Sequence, residues 1–139
     1  MELNGTGKVM GIKYIKLYEI KNGSGIIRNY YNNGEIEFEG EYVNGEKNGK
    51  GKEFNYNGKI RFEGEYKNGK RNGIGKEFYT NGEVDYEGEY VNGEKNGKGK
   101  EYFFKYGTLK FEGEYLNGKR HGKGKEYDYK GNLIFVGNI

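Results

Sequence analysis

Phe62-Glu63-Gly64-Glu65-Tyr66-Lys67-Asn68-Gly69-Lys70-Arg71-Asn72-Gly73-Ile74-Gly75-Lys76-Glu77-Phe78 is one instance of a sentence that the chain writes several times. Its opening, aromatic-Glu-Gly-Glu-Tyr-x-Asn-Gly, begins at Phe38, Phe62, Tyr86 and Phe111, at spacings of 24, 24 and 25 residues. A fixed period of this length marks a tandem array. Within the opening, large and charged residues alternate, the period-two pattern of a strand with two unlike faces. Phe62, Gly64 and Tyr66 share one face, and Glu63 and Glu65 share the other. Gly64 leaves room for an aromatic ring to lie on the backbone. Rings at equivalent places in successive units can then stack, each pair adding roughly 0.5–1.5 kcal/mol beyond area burial.

Outward from this strand, Asn44-Gly45-Glu46-Lys47-Asn48-Gly49 reads as a turn, because Asn and Gly tolerate the positive φ of hairpin connections. Gly51-Lys52-Glu53-Phe54-Asn55-Tyr56 reads as the return strand, and Asn57-Gly58 as a second, two-residue hairpin turn. Each unit is therefore two antiparallel strands and two turns, with nothing of helical period. The units run 38–61, 62–85, 86–110 and 111–134, with a partial copy at 135–139. One extra residue falls at Phe103-Phe104-Lys105-Tyr106-Gly107, where a bulge or a longer turn is expected. Residues 1–37 carry a degenerate version and are read as an N-terminal cap, with strands at 12–20 and 26–31. Leu133-Ile134-Phe135-Val136-Gly137-Asn138-Ile139 opens a further copy with Val136 in place of the first Glu. It reads as a cap or as an edge that pairs with another molecule. The fold expected is all-β: an elongated single-layer antiparallel sheet of tandem hairpins, on the order of 50 Å long at about 4.8 Å per strand.

Composition agrees. Apolar residues make up 32% of the 139, and most of them are the 15 Tyr and 8 Phe; there are 27 Gly and no Pro. Such a chain suits a thin structure in which each unit packs on its neighbours. The N-terminus lacks the apolar core of a signal peptide, and no run approaches the ~20 apolar residues of a membrane span. The location expected is cytoplasmic, with peripheral membrane attachment as its variant.

The chemical inventory excludes most enzyme classes. One His (His121), one Ser (Ser24) and no Cys leave no nucleophile with its base and no zinc ligand set. Paired carboxylates such as Glu63 and Glu65 recur in every unit, which marks a solvated stripe rather than one glycosidase site. No glycine-rich loop leads into a helix, so a phosphate-binding loop is absent. The expectation is no catalytic residues, no cofactor and no metal.

A basic turn recurs once per unit. Lys70, Arg71, Lys95, Lys119, Arg120 and Lys123 are expected along one sheet edge, as candidates for an anionic lipid surface. Charge nearly cancels within each unit, at −1 for 62–85 and +1 for each of the others, so no nucleic-acid partner is expected.

The run from Phe111 through Lys119-Arg120-His121-Gly122-Lys123-Gly124, with its counterpart from Phe62, resembles the MORN repeat. The continuation Lys76-Glu77-Phe78-Tyr79-Thr80-Asn81-Gly82 is similar to the variant of that repeat common in bacterial proteins. The resemblance covers about residues 38–139. It implies a twisted antiparallel sheet with one hairpin per repeat. It implies scaffolding, dimerisation or membrane association rather than one activity, and for some bacterial members a role as a toxin's immunity component. The first expectation is a protein partner, met through Tyr42, Tyr66, Tyr90 and Tyr115. A toxin is one specific case of such a partner. The second is an anionic phospholipid surface, and the third is a homodimer formed through the terminal strands.

Overall fold

The computed structural model describes residues 5–9 and 13–21 by their backbone, and residues 23–139 with their side chains. The reading of residues 1–37 as a cap rests in large part on side chains outside that set. The strands are β1 (Gly5–Val9), β2 (Lys13–Lys21), β3 (Ser24–Tyr30), β4 (Ile36–Val43), β5 (Glu46–Phe54), β6 (Ile60–Lys67), β7 (Lys70–Phe78), β8 (Val84–Val91), β9 (Glu94–Tyr102), β10 (Leu109–Leu116), β11 (Lys119–Tyr127) and β12 (Leu133–Asn138). No helix occurs among the described residues. The chain divides into two compact units, Met1–Lys70 and Arg71–Ile139. Each is an open antiparallel sheet of consecutive hairpins, its strands neighbouring in chain order. The fold class expected from the repeat is the one observed.

The two turns of each repeat exchange the roles expected for them. The tight one is Asn44-Gly45, where φ is 50° and 82°. Positive φ at both central residues is the I′ turn, whose twist matches that of the flanking strands. It leaves β5 to start at Glu46, well before Gly51. The wider turn spans residues 55–59, closed by Asn55 N–H donating to the Lys59 carbonyl at 2.7 Å. There only Gly58 has positive φ, and the Asn57 side chain instead accepts from the Lys59 amide at 3.1 Å. Asn-Gly occurs in both turns, so the dipeptide alone does not separate them. At the extra residue the wider turn lengthens, from Tyr79–Glu83 closure in one repeat to Phe103–Thr108 closure in the next.

The central glycines fall in register. In the second unit Gly75, Gly88, Gly99, Gly113, Gly124 and Gly137 are successive cross-strand partners. On one face of the sheet, rings occupy the space above this row. A Cβ on Gly99 would lie 2.5 Å from the Tyr86 ring, and one on Gly124 would lie 2.5 Å from the Phe111 ring. Tyr86 and Phe111 are fully buried. Tyr115 covers Tyr86 edge-on at 5.2 Å, and Lys95 Nζ stands 4.2 Å above the Tyr86 ring. The first unit repeats this: Tyr66 lies edge-on to Phe38 at 5.3 Å, with Lys47 Nζ at 4.1 Å. A single sheet layer thus makes a core from rings, glycines and the stems of basic residues.

Candidate functional site

The two faces of residues 71–139 use the same residue types for opposite ends. On the aromatic face, basic side chains are paired. Arg71 bonds Glu77 at 3.0 Å and Lys95 reaches the same carboxylate at 3.2 Å. Arg120 lies 4.2 Å over the Phe111 ring and donates to Glu101 and Glu126, both at 2.6 Å. Glu101 also accepts from the Tyr115 hydroxyl. Burial opposes ionisation of Glu101, but the bonds from Arg120 and Tyr115 outweigh it and hold the carboxyl below its ordinary value. Burial, followed by the bond to Glu101, pushes the Tyr115 phenol up.

This geometry corrects the expected contact surface. Tyr66, Tyr90 and Tyr115 are buried, at 5%, 2% and 5% exposure, because each closes over the ring system of its own face. Tyr42 is half-buried beside a hollow of about 390 Å³ lined also by Ser24, Ile26 and Asn48, and its hydroxyl accepts from Asn29 at 3.2 Å. Tyr66, Tyr90 and Tyr115 build the sheet's core rather than an open face. The expected basic edge also comes apart. Arg71, Lys95 and Arg120 point to the aromatic face and are engaged there. Lys70 and Lys119 are exposed beside the tight turns, and Lys123 stands on the opposite face. His121 is exposed near the start of β11. Among the described residues, no group of His, Cys, Asp or Glu is placed to hold a metal ion.

The opposite face carries what the sequence reading did not single out. It is a groove of about 790 Å³ running across β7–β12. Its floor is bare backbone at Gly88, Gly99, Gly113, Gly124 and Gly137, since anything at those positions points to the aromatic side. Two rows of side chains flank it. One runs Lys76, Glu87, Lys100, Glu112, Lys125, Val136, each the direct cross-strand partner of the last. The other runs through Ile74, Glu89, Lys98, Glu114, Lys123 and Asn138.

The carboxylates in these rows are committed within the sheet. Glu87 accepts from the Tyr102 hydroxyl at 2.6 Å, and Glu112 from Tyr127 at 2.8 Å. Burial, then the bond to Glu87, pushes the Tyr102 phenol up to about 12. Glu89 accepts from the Lys98 amide at 2.5 Å, and Glu114 from the Lys123 amide at 3.0 Å. These two reach across the bulges where Gly97 and Gly122 take φ of 104° and 82°. The lysines are different. Lys98, Lys100, Lys123 and Lys125 are exposed, and no ion pair falls on their side chains among the described residues. The signal that separates them from Lys95 was spacing. Lys95 and Lys98 differ by an odd number of residues, which sends their side chains to opposite faces.

The MORN repeat model matches residues 62–84, 86–108 and 111–133, and the MORN repeat variant model matches 24–44 and 47–68. The variant's first match begins inside the segment read from sequence as the cap. No curated protein matches the chain.

Proposed function

The chain belongs to the MORN-repeat family, whose repeats are non-catalytic modules, and from that premise we propose that it is a binding scaffold that takes a segment of a partner protein in the groove across β7–β12. One observation carries the reading: a concave, backbone-floored groove flanked by Lys98, Lys100, Lys123 and Lys125, on whose side chains no ion pair falls among the described residues. Its concavity favours a polypeptide over a bilayer, because a flat headgroup layer meets the rims of a groove and not its floor. The internal engagement of Arg71, Lys95 and Arg120 removes the strongest members of a lipid-binding edge.

Acylation footprinting in native lysate tests this. An amine-reactive label is applied to the chain with and without lysate proteins. Protection of Lys98, Lys100, Lys123 and Lys125, with Lys105 and Lys119 labelled as before, is the expected result. Protection by acidic vesicles alone, lost within a few hundred millimolar salt as screening requires, overturns it in favour of membrane attachment.

A further inference from the structure

Resting on that reading, the lysine spacing of the groove says what kind of segment it takes. Lys76, Lys100 and Lys125 lie in one cross-strand row with a glutamate strand between each pair. Strands sit about 4.8 Å apart, so these lysines recur about every 9.6 Å along the groove. The glutamates between them are held by phenols, while Lys100 and Lys125 have no ion-pair partner among the described residues and Lys76 has only a 3.9 Å approach to Glu87. What the row offers a ligand is therefore a lysine ammonium at a fixed interval, three lysines against two glutamates that keep their charge.

Three ligand conformations can be set against that interval. An α-helix is about 10–12 Å across with its side chains, wider than the ~7 Å that two residues of strand place between the flanking rows. An extended strand covers 9.6 Å in about three residues, and three is odd, so alternate carboxylates would turn away from the row. Lysine flexibility does not repair a side chain that faces the wrong way. A polyproline II segment rises about 9.3 Å in three residues and brings every third side chain to the same side. It also makes no backbone hydrogen bonds of its own. That suits this floor, whose amides and carbonyls are already used in the strand ladder.

We propose that the groove across β7–β12 binds an acidic polyproline II segment whose carboxylates recur at every third residue and pair with Lys76, Lys100 and Lys125.

Two fluorescently labelled peptides of identical composition test this on the full chain at low salt. One carries Glu at every third position among prolines, and the other carries the same residues with Glu at alternate positions. The first is expected to bind about three- to tenfold more tightly, the difference of roughly two exposed ion pairs. The advantage should disappear in a Lys100→Gln/Lys125→Gln chain and persist in Lys119→Gln. Equal binding of the two peptides, or binding of neither, overturns the proposal without needing any variant to fold. The footprinting arm separates this failure from that of the scaffold reading. If a lysate protein still protects Lys100 and Lys125, the scaffold stands and only the ligand's conformation is refuted. If nothing protects them, both fall.

Discussion

Arg120 and Lys123 stand three residues apart on β11 and have opposite fates. Arg120 lies on a phenylalanine ring with two carboxylates bound to its guanidinium. Lys123 stands over the groove, and among the described residues no ion pair falls on its side chain. Both came from the same short basic run, and period-two alternation alone divides them. A basic residue on the aromatic face is part of the core, where its planar fork or its stem covers rings. A basic residue on the groove face is left available. Charge content along the chain therefore says little about function here until it is resolved by face.

That contrast can be broken most forcefully at the glycines. Gly124→Ala would place a methyl carbon 2.5 Å from the Phe111 ring, with no flexible end to move aside. The expected loss is about 3 kcal/mol or more, from overpacking, read as a fall in the urea midpoint. Its groove-face neighbour Lys125→Ala should stay within about 0.5 kcal/mol of the parent, as exposed positions do.

The next effect divides the two basic residues themselves. Arg120→Ala removes charge-assisted bonds to Glu101 and Glu126 and uncovers Phe111, so a cost of about 1.5–3 kcal/mol is expected in the same denaturation series. Lys123→Ala should not move the midpoint measurably. An equal cost for the two would mean that the faces are not energetically distinct.

Acid titration gives the smallest and sharpest separation. The carboxyl of Glu101 ionises below its ordinary value in the folded chain. Its contribution is then present above the unfolded value and lost as pH falls through the folded one. The stability gap between the parent and Arg120→Ala should therefore narrow as pH drops below the ordinary glutamate pKa of 4.5. A gap that stays constant from neutral pH down to about 3 would show that burial, not the arginine, sets this carboxyl.

Much of the architecture was legible in the sequence because the repeat states the same residues in the same order. The side-sharing of Phe62, Gly64 and Tyr66 and the antiparallel hairpins followed from alternation and Asn-Gly punctuation. Which Asn-Gly makes the tight turn did not, since both dipeptides supply the same φ freedom. The difference lies in whether Asn uses its backbone, as Asn44 does, or its side chain, as Asn57 does. The contact surface was misjudged for a related reason. Tyrosine is favoured both at interfaces and over strand glycines, and only the ring-on-ring placement of Tyr66 and Tyr115 decides for the core. The groove was hidden because its glutamates and lysines look balanced in sequence. Only the cross-strand register shows these lysines standing in rows on one face, beside glutamates that phenols and backbone amides hold in place.

The alternation of glutamate strands and lysine strands across the second unit has a consequence for size. A duplicated repeat adds two strands, roughly 9.6 Å of groove, and one more lysine at the same height in the row. Half a repeat would end that alternation. Such a sheet is a ruler marked in whole repeats, and the length of its groove is set by counting copies rather than by reshaping any one of them.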